Sequence, residues 1–196
     1  PSGDNNTKNP FFDNLYRDRR DIHHDLNANL YAIVKLPFGF EYQMNFTPRY
    51  HWYEYMNHES AEHPEWAGDG GRSERKNEKT FNWQVDNILR WKKEFGEDHR
   101  VEATFLQNAE KGQWWKTVAQ NKLYSPSDIL GFHNIGAGTA PSVSSEDTYK
   151  TGDALMGRLF YSFKDKYMLT ASVRRDGYSA FGSMNPHAVF PAVALG

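Results

Sequence analysis

The sequence predicts an all-β fold, an antiparallel up-and-down sheet of about seven strands. Three observations carry this. Apolar and polar residues alternate with a period of two over several segments. Tight turns and long polar stretches take turns between those segments. Aromatic residues collect at the ends of the alternating runs.

The clearest run is Leu26 to Leu36, where Leu26, Ala28, Leu30, Ala32, Val34 and Leu36 fall on even positions and Asn27, Asn29, Tyr31, Ile33 and Lys35 on odd ones. Successive side chains of a strand point to opposite faces, so this segment has one apolar and one more polar face. Pro37-Phe38-Gly39 supplies a turn. Alternation resumes with Phe40, Tyr42, Met44, Phe46, Tyr50 and Trp52 against Glu41, Gln43, Asn45, Thr47, Arg49 and His51. Pro48 interrupts the apolar face and marks a bulge or a strand rim.

Residues 53–79 lose the period and read as a long polar loop. Phe81, Trp83, Val85, Leu89 and Trp91 define a third strand. A turn at Phe95-Gly96-Glu97-Asp98 leads to a fourth, with Val101, Ala103 and Phe105 opposite Arg100, Glu102 and Thr104. Residues 111–150 form a second aperiodic stretch. Leu155, Gly157, Leu159, Tyr161 and Phe163 then lead through Lys164-Asp165-Lys166 to Tyr167, Leu169, Ala171 and Val173. A loop over residues 176–187 precedes a final run from Ala188. The runs are about ten residues long, the length that crosses a membrane at a tilt.

Two architectures alternate in this way: a soluble antiparallel sandwich and a transmembrane barrel with short turns on one side, long loops on the other and aromatic girdles. The asymmetry of the loops favours the barrel. The mean hydropathy of −0.82 does not oppose it, because a barrel strand averages an apolar face with a polar one. The net charge of −2 gives no field to attract nucleic acid. The absence of cysteine excludes a disulfide scaffold and a cysteine nucleophile. Pro1 to Asn6 lacks a signal-peptide pattern, and both ends read as cuts in a longer chain.

Gly157 to Gly182, GRLFYSFKDKYMLTASVRRDGYSAFG, resembles the GRxxYxYKDKYLLTASxRRDGSSxFG hairpin of the SusC/RagA family of TonB-linked outer-membrane proteins. Phe190 to Gly196 resembles the start of the FPSxSxGW segment that follows it. Phe81 to Leu89 is similar to a family barrel strand, and Arg17 to Leu30 to a strand entry.

The resemblance implies an open segment of a large transmembrane β-barrel of about 22 strands in the bacterial outer membrane. Residues 1–196 would be a partial TonB-dependent receptor barrel domain, without plug or C-terminal strand. Its long loops, 53–79, 111–150 and 176–187, would be extracellular. The implied partners are outer-membrane lipid, a SusD-like lipoprotein, TonB acting through the missing N-terminal part, and an oligosaccharide or peptide substrate. Trp66, Trp114 and Trp115 are weak candidate substrate contacts, since aromatic rings stack on sugars; packing of the loops or contact with the lid is the stronger explanation. Without the resemblance, a soluble carbohydrate-binding β-sandwich is the alternative.

No enzyme motif survives inspection. His58-Glu59-Ser60-Ala61-Glu62-His63 places its histidines five apart, whereas the zinc-protease motif needs four on one helix face. His23 and His24 are adjacent and point to opposite sides of a strand. Gly136 to Pro141 lacks the third glycine of a dinucleotide loop. Asp69, Glu74, Glu94 and Glu97 have no fixed separation of the kind glycoside hydrolysis requires. No catalytic residue, metal site or cofactor is expected.

Overall fold

The computed structural model describes residues 10–180 and 187–196; the expected loop at 176–187 lies partly outside them. A short helix, α1 (Pro10–Tyr16), precedes eight strands. These are β1 (Arg17–Asn27), β2 (Leu30–Lys35), β3 (Phe40–Glu59), β4 (Arg72–Phe95), β5 (His99–Lys122), β6 (Ser142–Phe163), β7 (Tyr167–Tyr178) and β8 (His187–Leu195). They form one antiparallel up-and-down sheet in the order β1-β3-β4-β5-β6-β7-β8, with β2 also paired to β3. β1 and β2 share one place in the sheet, so eight strands fill seven positions. The sheet does not close on itself.

The single strand expected around Leu26 to Leu36 is broken at Ala28 and Asn29. Pro48 is the reason. Ala28 donates its N–H to the Pro48 carbonyl at 3.1 Å, but Pro48 has no N–H to return. Below the break the register is regular, with Leu30 opposite Phe46, Ala32 opposite Met44 and Val34 opposite Tyr42.

The strands are longer than expected and the loops shorter. β4 and β5 have 24 residues each and β3 has 20. The loop placed at 53–79 contracts to residues 60–71, and that placed at 111–150 to residues 123–141. Period two shows only where one face is apolar. Arg72 to Lys79 is polar on both faces, and its backbone still satisfies its N–H and C=O groups through neighbouring strands.

The tight turns follow their residues. Gly39 has φ +85° and Gly96 has φ +63°, a region open to glycine at no steric cost. Between β6 and β7, Lys164 and Asp165 take φ +55° and +50°, and Lys166 N–H bonds the Phe163 carbonyl at 3.1 Å. This is the primed turn that matches strand twist, usually filled by Asn-Gly. Here the Lys164 N–H is also held by the Asp98 carbonyl at 2.7 Å.

The chain divides into two compact units. One comprises the residues up to Asp25, His51–Thr80 and Trp114–Asp147; the other comprises Leu26–Tyr50, Phe81–Gln113 and Thr148–Gly196. The second unit has the two faces the sequence announces. Gly157 faces Val173, Leu159 faces Ala171 and Tyr161 faces Leu169; Leu169 in turn faces Leu195, Ala171 faces Val193 and Val173 faces Pro191. Together with Leu30, Ala32 and Val34 opposite Phe46, Met44 and Tyr42, these make up much of an apolar face. Leu30, Val34, Leu159, Val173, Val193 and Leu195 on it are exposed. A soluble sandwich would bury them against another sheet; among the described residues none covers them.

Candidate functional site

The opposite face of the second unit carries the polar side chains. Arg90 donates to Gln43 at 2.7 Å and to Glu41 at 3.2 Å. Asn108 donates to Asp86 at 2.6 Å, and Gln84 reaches both Asp86 oxygens at 3.1 Å. These residues lie on the odd positions of β3 and the even positions of β4 and β5, out of phase with the apolar set. Even the polar residues on the apolar face satisfy one another: the Tyr42 hydroxyl donates to Asn87, which donates to Gln107 at 2.6 Å.

The first unit carries an aromatic and charged network on the same parities. The Tyr53 hydroxyl donates to Asp21 at 2.8 Å, and His23 stacks on Tyr53 with ring centroids 4.5 Å apart. His51 Nδ1 lies 2.7 Å from Asp25. The Lys76 ammonium sits 4.8 Å over Tyr53 and 5.3 Å over Tyr55, and 3.5 Å from Glu78. Trp114 Nε1 donates to Glu78 at 3.4 Å. Trp114 and Trp115 therefore belong to β5, not to a loop as expected, and as neighbours on a strand they point to opposite faces. Trp66 does lie in a loop. Its half-buried ring is covered by the Arg72 guanidinium at 5.5 Å and lies 6.5 Å from the His63 ring.

Loop 123–141 is bound down from both ends. The Asn121 side chain donates to the Ile135 and Gly138 carbonyls at 2.8 and 2.9 Å, and accepts from Lys122 and Ala140 N–H at 2.9 and 3.0 Å. Phe132 is buried, with the Arg20 guanidinium 5.2 Å over its ring.

Beside it, three residues distant in sequence meet. His58 Nδ1 is 2.9 Å from Ser73 Oγ, and its Nε2 is 3.5 Å from Asp128 Oδ2. A Ser-His-Asp trio of this kind catalyses acyl transfer when the serine oxygen can reach a substrate. Ser73 is 0% exposed, so the trio is a tether for the loop. Asp128 also accepts the Ala61 N–H at 2.7 Å. Burial alone raises a carboxyl, but the bonds from Ala61 and Ser60 and the nearby His58 outweigh it and hold Asp128 below its ordinary value. Burial pushes the Tyr124 phenol, edge-on to His58, up. No sequence pattern marks this cluster: His58, Ser73 and Asp128 all lie in stretches read as loop, and only the register of β3 and β4 and the fold of the 123–141 loop bring them together.

His63 turns elsewhere, with Nε2 3.1 Å from Asp13. Among the described residues no group of three or more His, Asp or Glu is placed to hold a metal ion, and no helix is long and apolar enough to cross a membrane.

No family model matches the chain. It is 29% identical over 132 residues to TonB-dependent receptor P26 of Formosa agariphila, an alignment covering 66% of this chain and 13% of that protein. It is 31% identical over 118 residues to TonB-dependent receptor P39 of the same organism, covering 59% and 11%. The fold matches the RagAB peptide transporter with a TM-score of 0.84 at 19% identity, over 94% of this chain and 20% of that one. The chain is thus similar in sequence to TonB-dependent receptors and has a SusC/RagA-like fold. The chain spans only a small part of the curated relatives it matches. Its agreement with the RagAB peptide importer in the open-open state, at a TM-score of 0.80, is an agreement of fold. The strand-turn-strand pattern and the KDKYMLTASVRRDG hairpin, Lys164 to Gly177, thus lie in a sheet of that fold.

Proposed function

We propose that this chain forms part of the wall of an outer-membrane TonB-dependent transporter that imports oligosaccharides or peptides together with a SusD-like lipoprotein. The observation that carries the reading is the two-faced sheet of the second unit. An exposed apolar surface next to a hydrogen-bonded polar one suits a wall with lipid on one side and water on the other. The chemistry belongs to transport; TonB would act through a plug and N-terminal part beyond these residues.

The turns at Pro37–Gly39, Phe95–Asp98 and Lys164–Lys166 would be periplasmic, and loops 60–71 and 123–141 extracellular. The Tyr53, Lys76, Glu78 and Trp114 network suits contact with a hydrated substrate, since it offers both ring faces and charges of both signs. Trp114 is then the better substrate candidate of the adjacent pair, and Trp115 belongs to the opposite face. Trp66 would contact the substrate or the lipoprotein.

The test is growth of a strain lacking the full-length gene, complemented with wild type, Trp114→Ala or Trp115→Ala, on oligosaccharide or peptide as sole nutrient. Loss of growth without the gene, with a larger defect for Trp114→Ala than for Trp115→Ala, is expected. Recovery of the full-length protein outside the outer membrane would overturn the reading.

A further inference from the structure

The apolar face of the second unit is interrupted by a hollow of about 530 Å³, lined almost wholly by carbon. Its lining includes three small residues, Ala103, Gly157 and Ala171, and the larger Trp91, Phe105 and Val193. Gly157 helps to create it: a Cβ placed there meets nothing within 4 Å. The hollow is more than three times the size of the cavity of about 150 Å³ that binds benzene. Such a space offers water few hydrogen-bond partners.

At the end of the hollow near the tight turns the chemistry changes. Trp91 packs edge-on to Phe95 with centroids 6.4 Å apart, and the Lys93 ammonium lies 5.1 Å from the Phe95 ring. The same pairing recurs at Lys164 with Phe163, at 5.5 Å, and at Lys166 with Tyr167, at 5.6 Å. An apolar trough thus leads, through aromatic rings, to ammonium groups at the level where a barrel meets lipid headgroups.

We propose that this hollow seats one acyl chain of an anionic phospholipid whose phosphate is held at Lys93. The proposal rests on the transporter reading above, which puts this face in the bilayer. Inside a membrane the transfer of a chain from lipid to protein gains no hydrophobic free energy, because lipid tails are equally apolar. Retention therefore depends on the fit of the hollow and on the attraction of basic side chains for anionic headgroups. Fit and charge can be removed separately.

The experiment is native mass spectrometry of the full-length receptor, extracted from the outer membrane in mild detergent and supplied with phosphatidylglycerol or phosphatidylethanolamine. Wild type is expected to retain one phosphatidylglycerol in preference to phosphatidylethanolamine. Gly157→Phe fills the hollow and is expected to abolish retention; Gly157→Leu serves the same purpose if the larger side chain prevents assembly. Lys93→Ala is expected to bring the two lipids to parity. Equal retention by wild type and the filled variants overturns the proposal, as does a wild type that retains neither lipid. Loss of a receptor dimer instead of a lipid also overturns it and assigns the hollow to a second copy. The heat-modifiable mobility of an outer-membrane barrel, recorded on the same samples, reports on the transporter reading independently: a receptor that shows it yet holds no lipid fails this proposal alone.

Discussion

Ala28 and Pro48 face one another across the first strand pair joined by a single bond, the Ala28 N–H to the Pro48 carbonyl at 3.1 Å. In an antiparallel ladder such a close pair normally exchanges two bonds. Pro48→Ala supplies the missing donor. It is expected to join β1 and β2 into one strand and to stabilise the full-length barrel by about 0.5–1.5 kcal/mol, the net worth of one hydrogen bond. Urea unfolding in detergent micelles, with slower hydrogen exchange around residues 28 and 29, checks this. An unchanged midpoint and unchanged exchange would show that the break has another origin.

The two faces of β2 give a second prediction. Leu30 lies opposite Phe46 on the apolar face, and Ile33 lies opposite Gln43 on the polar one. An arginine on the lipid face of a barrel costs about 2–4 kcal/mol at the bilayer midplane. Leu30→Arg in the full-length protein is expected to reduce folded barrel in the outer membrane, and Ile33→Arg to be tolerated although isoleucine is as apolar as leucine. Heat-modifiable mobility of outer-membrane fractions distinguishes them. Equal tolerance of both would remove the face assignment.

These pairs also show what was legible in the sequence. Leu30 and Ile33 could be told apart by parity alone, because one face of this stretch is apolar. The same rule failed over Arg72 to Lys79, where both faces are polar, and it turned the first part of β4 into an expected loop. Trp114 and Trp115 were misplaced for the same reason. The Asn121 amide and the His58, Ser73 and Asp128 tether were invisible for a different one. They join residues from β3, β4, β5 and a loop, and only the register of the strands brings them together.

That tether has a pH dependence whose sign follows from Asp128. Its pKa is lowered in the folded loop, so its contribution is fully present above the ordinary carboxylate value of about 3.9. It is lost as pH falls below that value and through the folded one. Pepsin cleavage of the full-length protein near Leu130 and Phe132 is therefore expected to rise as pH falls below about 4, relative to cleavage elsewhere. Asp128→Asn should expose the loop already at neutral pH, where nicking by a neutral protease reads it. A charge-assisted hydrogen bond is worth about 1.5–3 kcal/mol, enough to shift local opening by an order of magnitude or more.

Gly39 provides the last prediction, because two independent reasons forbid a side chain there. Its φ of +85° is one that L residues avoid, and a Cβ would collide with the carbonyl oxygen of Lys92 on the neighbouring strand. That oxygen is backbone and cannot swing away. Gly96 lies in the equivalent position between β4 and β5 with φ +63°, but a Cβ there meets nothing within 4 Å. Gly96→Ala thus incurs the conformational cost alone, about 1–2 kcal/mol for one residue held left-handed. Gly39→Ala adds a displacement of β4 against the turn and is expected to cost more. Thermal unfolding of the two full-length variants side by side isolates the collision from the dihedral, and equal losses would mean that β4 yields at Lys92.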